Sequence, residues 1–430
     1  MILILTLGLI VLLIIGVPVG IAVALSSLGA LLSRGWGFFQ FEVLSQEMQF
    51  GLQNFILVGV PLFILAAKLM NTSRITEKIF SFANTIVGFL PGGLGQANVL
   101  ASLIFSGMSG SAIVDSAGLG QVEMDAMNKN GYPKEFSVAV TATSSLIGPI
   151  FPPSIPLVIY SFVSGTSIGR LFLGGVIPGV LMTVALMLFI TFYAKKYNFP
   201  RQLFPTFTIV LRSFTESLFP LLTPVILLGG IWGGFVTPTE AAAVAVLYAI
   251  IISLLVMRDI SLKDMICVFL ETAKETAIFM FLTSTATLYG WVIMKAGLII
   301  KVSEWFDSIS QNPLYILIII TLFLLLIGCF LDPVVSILIL GRMFIPIIDK
   351  LGIDPIHFGL VMVISLMIGL MTPPYGGVLF VMVKLSGLEF REVVRSIFPF
   401  LIPPLVVLIM VIIFPCLVTT LPNLIMGVIK

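Results

Sequence analysis

The sequence predicts an all-α polytopic membrane protein composed of two repeats with inverted topology. Three observations support this class: the composition, the length of the apolar segments, and a set of Gly and Pro residues that recurs at one constant spacing. Of the 430 residues, 59% are hydrophobic and 10% are charged, and the mean hydropathy is +1.19. In soluble domains, about a quarter of the residues are charged. The composition therefore excludes a cytosolic enzyme, a secreted disulfide-bonded domain and a disordered chain.

Apolar segments of about 20 residues are long enough to cross a hydrocarbon core of about 30 Å. Such spans are expected at about 2–32, 52–70, 136–163, 170–194, 214–233, 237–257, 271–293, 357–384 and 397–421. Two further apolar stretches carry Gly, Ser or Asp in the middle, and they are expected to be re-entrant hairpins at about 97–127 and 314–347. Segments 74–90 and 297–310 mix charged with apolar residues and are expected to be amphipathic helices at the interface.

The distribution of basic residues predicts the orientation of these segments. Lys and Arg (22) nearly balance Asp and Glu (20), which gives no indication of nucleic-acid binding. Most basic residues, among them Arg74 and Lys78, fall on one side, and the positive-inside rule makes that side cytoplasmic. The tryptophans, Trp36, Trp232, Trp291 and Trp305, then lie near the opposite interface as an aromatic belt or as a docking face for a partner. The first hairpin enters from the cytoplasm and the second from outside.

Residues of the first half recur in the second half in the same order. Ile147-Gly148 recurs as Ile368-Gly369, Pro152-Pro153 as Pro373-Pro374, Gly107 as Gly328, Gly120 as Gly341, and Pro178 as Pro399. The ordered series indicates a duplication, with a first repeat over 1–212 and a second over 213–430. Because the two hairpins enter from opposite sides, the repeats are inverted.

The first apolar segment, 2–32, allows two interpretations. Symmetry with the second repeat divides it at Gly16-Val17-Pro18 into two short crossings, which places the N-terminus outside. Alternatively, it is one long helix with the N-terminus inside. No basic residue precedes Arg34, so the segment lacks the positively charged start of a signal peptide and is expected to remain in the mature protein.

Two of the predicted spans are interrupted by prolines at corresponding positions. The first break runs from Ser144 to Ser154, within the broken helix of 136–163, and the second runs from Gly369 to Gly377, within that of 357–384. Proline removes a backbone donor and exposes carbonyl groups, which suit a hard cation such as Na⁺. The N-terminal ends of half-helices suit a carboxylate. Inverted repeats with paired broken helices are typical of secondary transporters.

The hairpins carry carboxylates at their turns. The first turn, Ser106–Ser111, is followed by Asp115, and the second turn, Gly328–Pro333, contains Asp332 and is followed by Ser336. At the repeat spacing, Ser111 corresponds to Asp332 and Asp115 to Ser336. Acidic residues inside membrane segments are candidates for an ion site. They are also candidates for helix caps, and the two roles are compatible.

Four motifs resemble a known family, the large membrane subunit of TRAP (tripartite ATP-independent periplasmic) transporters. They are Phe-Ser-Gly-Met-Ser-Gly-Ser-Ala-Ile-Val-Asp at 105–115, Gly-Pro-Ile-Phe-Pro-Pro-Ser-Ile-Pro-Leu at 148–157, Thr-Pro-Thr-Glu-Ala-Ala at 237–242 and Met-Thr-Pro-Pro-Tyr-Gly at 371–376. The resemblance covers essentially the whole chain. It implies an elevator-type fold similar to the divalent anion/sodium symporters, in the inner membrane of a bacterium.

The resemblance also implies function and partners. It implies Na⁺-driven uptake of an organic acid of the sialic acid or C4-dicarboxylate class, with Na⁺ as the coupling ion and no other cofactor. The implied partners are a small four-helix membrane subunit and a soluble periplasmic substrate-binding protein. The small subunit is expected to be a separate chain, because nothing precedes the first helix of the large subunit.

The resemblance places the binding sites at the turns and breaks. The first Na⁺ site is implied at Ser109, Ser111, Asp115, Ser144, Ser145 and Gly148. The second Na⁺ site is implied at Gly328, Asp332, Gly369, Met371 and Thr372. The substrate is implied between the turns, near Pro152, Ser154, Pro374 and Tyr375. No arginine occupies an obvious midplane position, so the sequence does not identify the group that neutralises the substrate carboxylate.

Two alternative functions, and an ion channel as a third, compete with this one. One is a Na⁺- or H⁺-coupled carboxylate transporter that acts without a binding protein. The other, more distant, is an intramembrane serine protease, because Gly107-Met-Ser-Gly110 matches the G-x-S-G pattern. A protease requires a histidine to activate Ser109, and the sole histidine, His357, begins a later segment. An ion channel would require repeated filter segments around a pore, which the two halves do not offer.

Overall fold

A computed structural model describes residues 1–33, 35, 41–72, 75–197, 199, 201–258 and 260–427. Across these residues the chain forms helices and connecting turns, without a β-strand. The orientation arguments that rest on Arg34, Trp36 and Arg74 lie outside the described residues.

The helices are numbered in chain order. They are α1 (Ile2–Ile14), α2 (Val19–Leu32), α3 (Phe41–Phe50), α4 (Gly59–Thr72), α5 (Ile75–Val87), α6 (Gly93–Ser109), α7 (Ala112–Ala117), α8 (Leu119–Lys129), α9 (Lys134–Ser144), α10 (Ile155–Ser164), α11 (Ile168–Tyr197), α12 (Phe207–Trp232), α13 (Pro238–Ile251), α14 (Leu262–Lys295), α15 (Leu298–Ile309), α16 (Pro313–Gly328), α17 (Pro333–Lys350), α18 (Pro355–Gly369), α19 (Gly377–Ser386), α20 (Phe390–Ile397), α21 (Ile402–Ile413) and α22 (Cys416–Met426).

Several helices are long and apolar enough to cross a membrane, as a polytopic membrane protein requires. Within the described residues there are 6 such helices: Phe55–Thr72, Ile168–Tyr197, Phe207–Trp232, Pro238–Met257, Leu262–Lys295 and Phe390–Ile413. The remaining apolar helices are shorter, and most of them belong to the predicted hairpins and broken helices. The all-α membrane class predicted from composition is therefore confirmed.

The first apolar segment consists of two helices, so the alternative of one long helix over 2–32 is wrong. α1 ends at Ile14 and α2 begins at Val19, and the two helices pack against each other. The chain reverses at Gly16, which has a φ of +88°, a conformation that glycine adopts without steric penalty. Pro18, which has no backbone N–H, precedes the first residue of α2.

Two other predicted boundaries need correction. The span predicted at 397–421 is not one helix, because α21 ends at Ile413 and α22 begins at Cys416. The break follows from Pro415, which disfavours a helical conformation at Phe414, whose φ is −117° and ψ is 82°. The span predicted at 271–293 is longer, because α14 starts at Leu262 after a capping box formed by Ser261 and Asp264.

The predicted amphipathic segments 74–90 and 297–310 contain α5 and α15. The apolar face of α5, which includes Ile75, Ile79 and Ala83, is buried. α5 packs against α6 and α12, so this helix is an integral part of the bundle. α15 buries only Phe306 completely and contacts α14 and α17.

The turns and breaks are held between long helices. α6 packs against α9 and α11, and α16 packs along α18. α10, which follows the first break, packs against α17, which follows the second turn. α14 runs beside α2, α3, α4 and α17, so it connects helices from both halves. Both Pro-Pro peptide bonds of the breaks, Pro152-Pro153 and Pro373-Pro374, are cis.

Candidate functional site

The first and second turns meet in the folded chain. Ser111 and Asp332 line the same small cavity of about 50 Å³. They also line a larger cavity of about 830 Å³, whose other walls come from α2, α4, α7, α10, α14 and α17. The fold therefore brings together the two turn positions that correspond at the repeat spacing.

The first turn holds a buried carboxylate against the first break. Gly110, with a φ of +64°, ends α6 and reverses the chain. Asp115 in α7 is 2% exposed, and its Oδ1 accepts a hydrogen bond from the Ser109 hydroxyl. Its Oδ2 has no hydrogen-bond partner among the described residues and lies so close to Gly148 that a Cβ there would collide with it. Ser109, Asp115 and Gly148 of the implied first Na⁺ site are thus neighbours.

The hydroxyls of the first break are engaged in local hydrogen bonds. Ser144 donates to Asn98 Oδ1 at 2.6 Å, and Asn98 Nδ2 donates to Thr141 Oγ1 at 2.7 Å. Ser145 donates to the Ala142 carbonyl at 2.7 Å. The sequence analysis did not include Asn98 among the site residues. An amide side chain within the apolar helix α6 could have indicated that it has a hydrogen-bonding role there. Its side chain fixes the end of α9 to the first hairpin.

The second turn and second break approach each other through glycines. A Cβ on Gly369 would lie 2.5 Å from the Gly328 Cα, so the two helices α16 and α18 are in backbone contact there. Asp332 caps α17, and its Oδ1 accepts a hydrogen bond from Val334 N at 2.8 Å. The capping role that the sequence left open therefore applies to Asp332. In contrast, Asp115 bonds to a side chain, Ser109.

The remaining residues of the implied second Na⁺ site lie where α18 ends. Thr372 donates its hydroxyl to the Ile368 carbonyl at 2.8 Å, which is one helical turn earlier. Met371 is buried, at 1% exposure. Both residues follow Gly369 directly, so they lie close to the second turn.

Each turn is hydrogen-bonded to the break in its own half. In the first half, Ile155 N donates to the Gly110 carbonyl at 3.3 Å. In the second half, Tyr375 N and Gly376 N donate to the Cys329 carbonyl at 3.1 and 3.4 Å. The carbonyl of each turn therefore binds backbone donors at the start of the second helix of each break.

The residues implied for the substrate are in two different environments. Pro152 and Ser154 are buried, and Ser154 caps α10 by accepting a hydrogen bond from Leu157 N at 3.2 Å. Pro374 is exposed, and Tyr375 is 57% exposed. Neither of the two cavities at the turns is lined by any of these four residues.

Two arginines are buried or half-buried, but away from the turns. Arg170 is 8% exposed and donates to Asn423 and to the last carbonyls of α22. Arg342 is half-buried and donates to Thr287 Oγ1 at 3.2 Å. His357 is buried, with its Nε2 at 2.8 Å from the Val411 carbonyl. Ser109 therefore pairs with a carboxylate and has no histidine beside it.

Comparisons with known proteins agree on one family. The family profile described as "Tripartite ATP-independent periplasmic transporter, DctM component" matches residues 6–417. The sialic acid TRAP transporter large permease protein SiaM of Vibrio cholerae is 41% identical over 96% of both chains. The C4-dicarboxylate TRAP transporter large permease protein DctM of Pseudomonas aeruginosa is 37% identical over 86% of this chain and 87% of that protein.

Two further comparisons concern length and fold. The sialic acid TRAP transporter permease protein SiaT of Haemophilus influenzae is 38% identical over 95% of this chain, which spans 66% of that protein. The crystal structure of the Alcanivorax borkumensis YdaH transporter superposes with a TM-score of 0.63 over 87% of both chains, at 12% identity. This second likeness concerns the fold alone. The profile and the permease relatives show that the chain is a membrane transporter, not an enzyme, and that it belongs to the DctM component family of tripartite ATP-independent periplasmic transporters.

Proposed function

We propose that this chain is the large transport subunit of a Na⁺-coupled secondary transporter that takes up an organic acid by an elevator-type alternating-access mechanism. The observation that carries the proposal is the meeting of the two turns at Ser111 and Asp332, beside a cavity of about 830 Å³. Cavities of about 300–1,000 Å³ accommodate small organic molecules. Transporters with paired broken helices bind substrate and ions at such a point.

The repeats over 1–212 and 213–430 are part of the proposal. Similar hydrogen bonds support them, since Ile155 N and Gly376 N, which correspond at the repeat spacing, each donate to a carbonyl of the turn in their own half. Corresponding oxygens also lack partners among the described residues: Asp115 Oδ2 in the first half and Ser336 Oγ in the second. Inverted topology makes each hairpin open to a different side of the membrane. In an elevator mechanism, the turns and breaks would move together past the helices that hold them.

The two Na⁺ sites are proposed at the turns and breaks. The first uses oxygens of Ser109, Ser111, Asp115, Ser144, Ser145 and Gly148. The second uses oxygens of Gly328, Asp332, Gly369, Met371 and Thr372. Because Ser144, Ser145 and Thr372 donate their hydroxyl protons to other groups, these oxygens retain lone pairs for a cation. A bound Na⁺ would supply the partner that Asp115 Oδ2 lacks.

The substrate class comes from the relatives. The names of two similar permeases specify sialic acid and C4-dicarboxylate. We place the organic acid between the turns, with Pro152, Ser154, Pro374 and Tyr375 of the breaks at its border. The N-terminal end of α19 is the favourable helix end for its carboxylate, because the first N–H groups of α10 are already bonded to Gly110 and Ser154.

The proposed partners are a small four-helix membrane subunit and a soluble periplasmic substrate-binding protein, in the inner membrane of a bacterium. Membership in a tripartite family supports this assembly. A Na⁺- or H⁺-coupled carboxylate transporter that acts without a binding protein is the second candidate. It would be favoured by uptake of the free acid in the absence of the binding protein.

Uptake by proteoliposomes tests the function. Vesicles holding this chain and the small subunit, supplied with binding protein loaded with sialic acid or succinate, should accumulate the acid only under an inward Na⁺ gradient. An equal K⁺ gradient is the matched control. Accumulation that persists without Na⁺ contradicts the coupling, and accumulation without the binding protein contradicts the tripartite mechanism.

A further inference from the structure

A lysine is held by two glutamates beside the larger cavity. Lys68 Nζ lies 3.4 Å from Glu271 Oε2 and 2.8 Å from Glu275 Oε1. The Lys68 side chain is 16% exposed, whereas those of Glu271 and Glu275 are 65% and 49% exposed. We refer to these three residues as the Lys68 cluster. It joins α4 to α14, which belong to different halves of the sequence.

The Lys68 cluster lies at the edge of the cavity. Val60 and Ile64 of α4 line the cavity, and Lys68 is one helical turn further along the same face. On α14, Leu282, Ile278 and Glu275 line the cavity, and Glu271 is one turn beyond them. The two helices therefore line the cavity mainly with apolar side chains. Where these apolar faces end, the ion pairs of the Lys68 cluster join the helices. In the orientation predicted from the sequence, this edge faces the cytoplasm.

Lys68 is a cation in direct contact with the charged lining of the cavity, because it pairs with Glu275. The charged residues that line the cavity are Asp332 and Glu275, and no basic residue lines it among the described residues. Arg170 and Arg342 are bonded elsewhere, to α22 and to Thr287. A carboxylate that leaves the cavity between α4 and α14 therefore passes the Lys68 ammonium beside Glu275.

The ion pairs of Lys68 are of a kind that exchanges readily. Ion pairs with partly exposed glutamates contribute little to stability, because water solvates the carboxylates almost as well. The lysine ammonium is a compact charge on a flexible side chain and has three hydrogen-bond donors. It can therefore bind a new carboxylate before it releases an old one. Replacement of Glu275 by a substrate carboxylate leaves Glu271 in place and returns Glu275 to water.

We propose that Lys68 forms a carboxylate-binding site at the edge of the cavity, where a carboxylate of the organic acid replaces Glu275 during release. This inference rests on the proposed function, because it takes an organic acid as the substrate. It assigns the neutralising cation that neither the turns nor the breaks contain. Glu271 and Glu275 act as competitors that keep Lys68 in position and prevent permanent capture of the acid.

Exchange of the organic acid across the membrane of proteoliposomes tests the affinity of this site. Vesicles with the complete complex are loaded with unlabelled sialic acid or succinate, whichever the wild-type complex transports, and exchange with the labelled acid is recorded against the internal concentration. Loss of one charge-assisted contact weakens binding about tenfold. We therefore expect Lys68→Gln to raise the half-saturating internal concentration about tenfold and Lys68→Arg to restore it. The double variant Glu271→Gln/Glu275→Gln should lower that concentration.

The opposite directions separate binding from a structural role. If Lys68 only ties α4 to α14, then Lys68→Gln and the double glutamine variant will change exchange in the same direction, and the proposal is overturned. Lys350→Gln is the matched control, because Lys350 forms an exposed ion pair with Asp307 at 2.6 Å and does not line the cavity. An unchanged Lys68→Gln with active wild type overturns this inference alone. Wild-type vesicles that transport no organic acid overturn the proposed function and this inference together.

Discussion

Asp115, which follows the first turn, and Asp332, which lies within the second turn, have different hydrogen-bond partners. Asp115 is buried and bonds to the Ser109 hydroxyl, and its second oxygen faces Gly148. Asp332 is half-buried at the cavity and caps α17. The first is therefore enclosed in the protein, where we propose that it binds Na⁺, and the second combines a structural bond with exposure to the cavity.

A substitution that removes the charge of Asp332 but keeps the helix cap tests whether the charge is needed for transport. Asparagine caps a helix about as well as aspartate. We therefore expect Asp332→Asn to keep the thermal stability of the purified complex but to abolish Na⁺-driven uptake, as we also expect for Asp332→Ala. If Asp332→Asn transports normally and Asp332→Ala does not, Asp332 is a cap only.

The same experiment at Asp115 needs its own control. Asp115→Asn and Asp115→Ala should abolish uptake while the complex still assembles, because the ion would lose a buried anionic ligand. Asp125→Asn, in the neighbouring helix α8, removes an exposed carboxylate and should leave uptake unchanged. Size-exclusion chromatography verifies assembly. Wild-type rates in Asp115→Asn would show that its charge has no part in coupling.

At this scale the sequence predicted the acidic residues but not their partners. A carboxylate in an apolar segment is conspicuous, so Asp115 and Asp332 were found. Asn98 was missed, because its role depends on the distance between α6 and α9 and not on its neighbours in sequence. Lys68 was also missed, since its glutamate partners lie in the other half of the chain.

Recurring glycines allow close approaches in both halves. Gly328 and Gly369 allow backbone contact between α16 and α18, and Gly148 allows Asp115 to reach the first break. Larger side chains would separate these elements. The recurrence of these glycines at the repeat spacing thus has a packing reason in both halves.

Gly369→Ala tests that contact. Its Cβ would lie 2.5 Å from the Gly328 Cα, which is backbone and cannot move aside. Overpacking of this kind costs about 1–3 kcal/mol, so we expect a lower melting temperature and loss of uptake. Gly229→Ala in α12 is the matched control, because its Cβ would meet no atom within 4 Å. Alanine there should be neutral or slightly stabilising. Equal melting temperatures for wild type and Gly369→Ala would contradict the close contact.

Prolines explain why some helix boundaries were predicted and others were not. The breaks at 144–154 and 369–377 combine Pro with Gly and with Ser or Thr, and they were predicted. Pro178, Pro220 and Pro224 lie inside helices that continue past them, whereas Pro415 ends a helix. A proline breaks a membrane helix only where the freed backbone groups find no other partner. That condition depends on neighbouring helices, so the sequence alone did not locate the end of α21.

On the scale of the whole molecule, the breaks of the two proposed repeats have different surroundings. The Pro-Pro segment of the first break is buried, whereas that of the second is exposed. Both breaks contain Gly and Pro-Pro at the repeat spacing, so these shared residues do not explain the difference. The sequence therefore did not indicate that one break is covered and the other is open.

Labelling of single cysteines tests the inverted topology. Asn130 follows the first hairpin, Gln311 precedes the second, and both are exposed. In a background with Cys267, Cys329 and Cys416 replaced by serine, an impermeant maleimide should label Gln311→Cys in intact spheroplasts. It should label Asn130→Cys only after lysis. Labelling of both from one side would refute opposite hairpins.

The short helices at the start of the chain have a consequence for the surrounding lipid. α1 and α2 contain 13 and 14 residues, and Leu3, Ile14 and Ile15 expose apolar surface around them. At 1.5 Å per residue, each helix is about 20 Å long, against a hydrocarbon core of about 30 Å. A crossing of this length is accommodated by local thinning of the bilayer. The acyl-chain length of the lipids should therefore affect the free energy of this protein in the membrane. The effect arises beside α1 and α2, where the two leaflets must come closer together.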